Sequence, residues 1–248
     1  MIYKVTIRFY IKTFLLVVFV SILQPMKAQD SLRNKQQLFI IAKPADYFLS
    51  IGLQKAKEMV DIHLFVPDAV LDLRYAGNNN FIGKKIYPSL NSTYLRRQAA
   101  TALAAVQQEL ISRGLTIKIF DAYRPYAATV MMWELIKDDR YAADPKKGSG
   151  HNRGIAVDLT IVDVKTKKEL DMGTRFDNFS DTAHHNFTAL PDTALKNRLL
   201  LKTIMVKNGF KALDTEWWHY ALPNAKEYDL LDLSFKQLKK INKRRNRK

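Results

Sequence analysis

The stretch from Ser149 to Thr160, Ser-Gly-His-Asn-Arg-Gly-Ile-Ala-Val-Asp-Leu-Thr, constrains this chain more than any other. It places His151 and Asp158 seven positions apart around Gly154 and ends in an apolar run that reads as a buried strand. Asp158 lies on that strand between Ala156 and Thr160, so the pleat sets its face. Gly154 lets the chain fold back, so that His151 can reach the same point. A second stretch, Glu216-Trp217-Trp218-His219-Tyr220, adds another imidazole and another carboxylate. The rest of the chain reads as the scaffold that brings the two stretches together.

Composition narrows the chemistry further. The chain has no cysteine, which excludes disulfides, thiolate metal sites and a cysteine nucleophile. Any metal must be held by imidazole and carboxylate, and the histidines are His63, His151, His184, His185 and His219. The net charge is +16, but residues 1–28 carry four bases with no acid and residues 236–248 carry eight with no acid. Taking 4 and 8 from 16 leaves +4 for residues 29–235, which gives no ground for nucleic-acid binding.

The amino terminus has a basic start (Lys4, Arg8, Lys12), an apolar run from Phe14 to Leu23 and a break at Pro25. That run falls short of the roughly 20 apolar residues that span a bilayer. It reads as a secretory signal peptide with a cut after Ala28, and the alternative is an uncleaved anchor. The expectation is an exported, periplasmic protein with no stable span in its mature form.

Along the body, Lys43–Asp46 reads as a turn, 50–59 as a helix and 70–75 as a strand with one wetter face. Leu95, Ala99, Leu103, Val106 and Leu110 share one helix face, with Asn91 or Ser92 as cap and Gly114 as stop. Leu115–Phe120 is a short buried strand, and Tyr126–Lys137 a helix. Ile155–Val164 should turn into a return strand near Leu170. A helix from Asp192 to Lys207, a strand over 210–220 and a terminal helix over 224–241 complete the body, with the charge run after it frayed. These elements describe an α+β single domain, a central antiparallel sheet flanked by helices. The boundaries are 1–28 for the signal peptide, 29–235 for the domain and 236–248 for a basic tail.

His151, Asp158 and His219 can supply three metal ligands and leave a fourth position open, the pattern of a catalytic zinc site. Glu216 stands three residues before His219, within reach to act as base. On a flat strand an i, i+3 pair points to opposite faces, so a bend is expected there. Arg124, after a strand and before Pro125, is placed to stabilise the negative oxygen of a tetrahedral intermediate.

These residues carry a resemblance. Ser149-x-His151-x-x-Gly154-x-Ala156-x-Asp158 followed by Glu216-x-x-His219 resembles the zinc D-Ala-D-Ala dipeptidases, the VanX-type group related to D,D-carboxypeptidases and the Hedgehog-type fold. Asp72-Leu-Arg-Tyr-Ala, Asp121-Ala-Tyr-Arg-Pro and Asp171-Met-Gly-Thr with Phe176-Asp177 match the same group in order, over most of the chain. The resemblance implies one zinc on His151, Asp158 and His219, with Glu216 as general base and acid and Arg124 at the transition state. It places Ser149 and Asp177 where the family holds the ammonium group of a small D,D-dipeptide. Asn152, where Ser is expected, and Tyr94, where Cys is common, depart from the pattern without touching a proposed ligand. A D,D-carboxypeptidase acting on longer stem peptides and a non-catalytic zinc-stabilised binding module are the competing readings. For the remaining candidates the ordinary roles are favoured. Trp217 and Trp218 are core and pocket wall, His184 and His185 lie in an exposed loop, His63 is a surface residue, and Arg74 forms a salt bridge.

Overall fold

A computed structural model describes residues 38–245; the expected signal peptide lies outside the described residues. The chain enters at β1 (Ile40–Ile41) and passes into α1 (Pro44–Ile51). Pro44 is the first helical residue, its φ preset for that position, so the expected turn is a helix start. Gly52, at φ 48°, stops α1 where a helix was expected to begin. β2 (Met59–Asp61) and α2 (Ile62–Phe65) follow.

The strand expected over 70–75 is only β3 (Val70–Leu71). Beyond it the chain makes a 3-10 turn over Arg74–Ala76, which carries Tyr75 inward to 3% exposure. β4 (Tyr94–Arg96) pairs antiparallel with β2, so α3 (Arg97–Ile111) begins later than its periodicity indicates. Ser92 donates to Asp61 instead of capping the helix. The face of α3 is as expected, with Ala99, Leu103, Val106 and Leu110 fully buried. Each such leucine or valine contributes about 1.5–3 kcal/mol.

β5 (Leu115–Asp121), α4 (Tyr126–Ile136), the single-turn α5 (Gly150–Arg153) and β6 (Ala156–Asp163) form the centre of the chain. The return strand near Leu170 is reduced to one bridge, Val162 with Glu169. α6 (Asp192–Lys207) precedes a hairpin, β7 (Lys211–Leu213) and β8 (Glu216–Ala221), where a single strand was expected. The expected terminal helix is divided into a 3-10 turn at Ala225–Glu227, β9 (Leu230–Leu231) and α7 (Phe235–Arg245). Leu238 and Ile241 of α7 are buried, so the folded body continues past the boundary drawn at 235.

The main sheet has the order β3-β5-β6-β8-β7, antiparallel except for the parallel edge pair β3–β5. One apolar cluster packs the sheet against α3 and α6, through Leu103, Val106, Ile117, Leu159, Ile161 and Leu201. A second, rich in tyrosine, gathers α1, α4 and α7 around Tyr47, Tyr75, Tyr87, Tyr123, Met132 and Leu238. Register places the polar centre between them. Asp158 on β6 pairs with His219 on β8 and with Asp121 on β5. The register of β5 shifts between Ile119 and Asp121, a bulge that turns Asp121 toward Asp158.

Candidate metal centre and active site

His151 is presented by α5, which is too short to be stable alone and is fixed at both ends. Ser149 Oγ accepts from His151 N at 3.2 Å, and Asn152 Oδ1 accepts from Ser149 N at 3.0 Å, a reciprocal capping box. Gly154 closes the turn at φ 70°, and its carbonyl accepts from Arg96 N at 2.7 Å. Asn152, fully buried, donates to Arg124 O at 2.9 Å and to Thr129 Oγ1 at 2.8 Å. The residue that departs from the family pattern therefore ties the histidine turn to the arginine.

The expected ligand set converges. His151 Nε2 lies 3.2 Å from His219 Nδ1 and 3.3 Å from Asp158 Oδ2, and His219 Nδ1 lies 2.9 Å from Asp158 Oδ1. Ligands about 2.0–2.1 Å from a tetrahedral ion stand roughly 3.3 Å apart, so these donors fit one ion of that size. The tautomer fits as well. His151 Nδ1 donates to Ala122 O at 2.7 Å, which leaves the Nε2 lone pair facing the cluster. Burial works against ionisation of Asp158, but the two imidazoles hold its carboxyl well below the usual range. Burial likewise opposes charge on His219, and the hydrogen bond and charge of Asp158 outweigh it and raise the imidazole.

Glu216 opens β8, and its Oε2 stands 4.0 Å from His219 Nδ1. The expected bend is supplied by a register shift in the β7–β8 hairpin, between Ala212 and Leu213, next to the Leu213–Glu216 pair. Burial pushes the Glu216 carboxyl up to about 7, against the pull of His219. A carboxyl near neutrality can both take and return a proton.

Arg124 is held by Asp121, whose Oδ2 accepts from Nε at 3.1 Å and from Nη2 at 2.8 Å. Tyr87 donates to the same carboxylate at 3.2 Å, and the guanidinium lies 5.2 Å from the centre of the Tyr75 ring. Asp177 holds φ 60°, a conformation uncommon outside glycine. Its carboxylate accepts from Tyr75 OH at 2.9 Å and from Phe81 N at 3.3 Å. Burial pushes its carboxyl up to about 8.

Ser149, Arg124, Asp177 and Glu216 line one cavity of about 510 Å³ together with His151, Asp158 and His219. Its wall also carries a chain of rings, Phe81 against Phe179 at 4.9 Å and Phe179 against Tyr141 at 4.7 Å. Trp218 is wall and Trp217 is core, bonded through Nε1 to Thr174. Arg74 forms the ordinary ion pair, with Asp72 at 2.8 Å. His184 lines the cavity instead of only facing solvent, and His185 is half-buried against Tyr220. Sequence reasoning passed over Asp121, Tyr75 and Tyr87. Asp121 and Tyr75 lie inside quoted motifs, but only the fold shows what they hold.

A two-histidine, one-aspartate cluster at the bottom of a cavity, beside a carboxyl near neutrality and a buttressed arginine, is the equipment of a metal-assisted peptidase. The chain belongs to the Peptidase M15 family, D-ala-D-ala dipeptidase, whose model matches residues 55–240. A D-alanyl-D-alanine dipeptidase of Escherichia coli K12 is 41% identical over 174 residues, covering 70% of this chain and 89% of that protein. Relatives of the same description from Enterococcus faecium and Streptomyces coelicolor are each 31% identical over 170 residues, covering 61% of this chain and 84% of theirs. Among solved structures, an LD-carboxypeptidase aligns at 19% identity with a TM-score of 0.34, over 61% of this chain and 65% of its own.

Proposed function

We propose that this chain is an exported zinc dipeptidase that hydrolyses free D-Ala-D-Ala, or a similarly small D,D-dipeptide, in cell-wall peptide metabolism. The observation that carries the reading is the meeting of three donors at metal spacing with Glu216, Arg124 and Asp177 in one cavity. His151, Asp158 and His219 would hold the ion. Zinc, when bound, polarises the scissile carbonyl and makes water a better nucleophile at neutral pH.

The chain's own groups supply the rest. Glu216 takes a proton from the attacking water and passes it to the departing amine. Arg124, fixed on one side by Asp121, turns its remaining donors to the oxygen that becomes negative. Asp177 receives the substrate's ammonium group, which draws its buried carboxyl into the charged form. Ser149 also lines the cavity; its Oγ already accepts from His151 N in capping α5 and keeps a second lone pair to accept from the ammonium group.

A free amine requirement separates this reading from a carboxypeptidase that takes longer stems. The test uses the chain from Gln29 onward, loaded with zinc, on D-Ala-D-Ala and on the same dipeptide with its amine acylated. D-alanine released from the free dipeptide alone supports the proposal. Release from the acylated form moves the protein to the carboxypeptidase reading, and zinc binding with no release leaves a binding module.

A further inference from the structure

Away from the cavity, α7 exposes Lys236, Lys239, Lys240, Lys243 and Arg244, and no acid occurs between Phe235 and Arg245. The opposite side of this helix is fixed by the burial of Phe235, Leu238 and Ile241, and by Asn242 donating to Met59 O at 3.1 Å. The cations are therefore held outward. Beside them runs α1, whose Pro44 and Phe48 share a groove with Gln237, Lys240, Ile241 and Arg244 of α7.

α1 buries Tyr47 and Ile51 and turns Leu49 the other way, 81% exposed. Leu53, just past its end, is 100% exposed, and Phe39, just before it, is 61% exposed. A single surface leucine is ordinary. Three large apolar side chains within one short segment, beside a helix of cations without acids, combine the two features of an interfacial surface. Asp46 is the one acid of α1. Residues 1–37, which carry the apolar run from Phe14 to Leu23, join the described body at Leu38, next to Phe39.

We propose that α1 and α7 form a docking face for an anionic phospholipid bilayer. The lysines and Arg244 meet the headgroups, and Leu49 and Leu53 enter the boundary between headgroups and acyl chains. Charge complementarity selects an anionic partner, and the leucines select lipid over an acidic polymer, which offers them nothing apolar to enter. The dipeptidase would then act while held against a membrane surface, with its cavity formed by other elements.

Flotation of the chain from Gln29 onward, loaded with zinc, tests this with vesicles of phosphatidylcholine alone and with about one third phosphatidylglycerol. Starting at Gln29 removes the apolar run that would insert by itself. The expected result is partition to the anionic vesicles at least ~10-fold above the neutral ones, weakened by salt. It should fall ~10-fold in Leu49→Ser/Leu53→Ser and further in Lys239→Glu/Lys243→Glu. Both double variants should keep D-Ala-D-Ala hydrolysis in vesicle-free buffer, which confirms that they fold. Equal partition to both vesicles overturns the proposal. So does anionic binding that is indifferent to the leucines and matched by double-stranded DNA, which would make α7 a site for polyanions.

Discussion

At the scale of single residues, the site depends on carboxyls shifted in opposite directions, Asp177 and Glu216 upward by burial and Asp158 downward by the two imidazoles that outweigh its burial. Asp177 has a folded-state pKa of about 8, above the unfolded value of about 3.9. Between those values the folded chain keeps a proton that the unfolded chain has released, so this group subtracts stability as pH rises from about 4 to about 8. Asp177→Asn should therefore raise the melting temperature at pH 8 more than at pH 5. The expected gain is roughly 1 kcal/mol, discounted because the carboxyl borders the cavity. The same variant should raise KM for the free dipeptide, and thermal melts with steady-state kinetics check both. Asp121→Asn should lower kcat about 10–100-fold, because Arg124 loses the charge that fixes it, while zinc content measured on the same sample stays at one per chain. The meeting of His151, Asp158 and His219 was legible because their two motifs stand in order with those of Arg124 and Glu216, where a lone histidine–aspartate pair would have said little. Asp121 was not, since the bulge that turns it toward Asp158 leaves no mark on the alternation of β5.

At the scale of elements, one turn of helix carries much of the precision. Gly154→Ala would place a side chain at φ 70° and 2.6 Å from Met59 Sδ, and a loss of about 1–2 kcal/mol is expected. Asn152→Ala would leave the Arg124 carbonyl and the Thr129 hydroxyl oxygen without the buried donor they share, at about 2–3 kcal/mol. Denaturant unfolding measures both, and kcat should fall more in Asn152→Ala because the tie to Arg124 is lost. Of the long elements, α3 and α6 could be read from apolar positions at helix spacing, and β5 and β6 from apolar runs of strand length. The short ones could not. β1, β3 and β9 have two residues each and exist through their pairing partners, and β4 displaces a helix start whose local pattern continues unbroken. Tertiary hydrogen bonds decide such segments, and a window of sequence does not contain them.

At the scale of the whole molecule, α3 and α6 cover one side of the sheet, and the tyrosine-rich cluster with α1, α4 and α7 forms a second core. The polar centre lies where adjacent strands bring Asp121, Asp158 and His219 into one row. That fold class followed from the order of elements, but the groove between α1 and α7 required coordinates. A bound ion stabilises the folded chain by mass action, so zinc at 100-fold above its dissociation constant should add about 2.7 kcal/mol. Calorimetry with and without a chelator should show the matching fall in melting temperature, reversed by added zinc. The central claim is that one zinc held by His151, Asp158 and His219 works with Glu216 as the proton carrier. The most direct measurement is kcat for D-Ala-D-Ala in the wild-type chain and in Glu216→Gln, with bound zinc counted on the same samples. One zinc in each, with kcat lower by ~10³-fold or more in the variant, is the predicted result. Equal kcat in the two chains at equal zinc would contradict it, as would a wild-type chain that holds its zinc and releases no D-alanine.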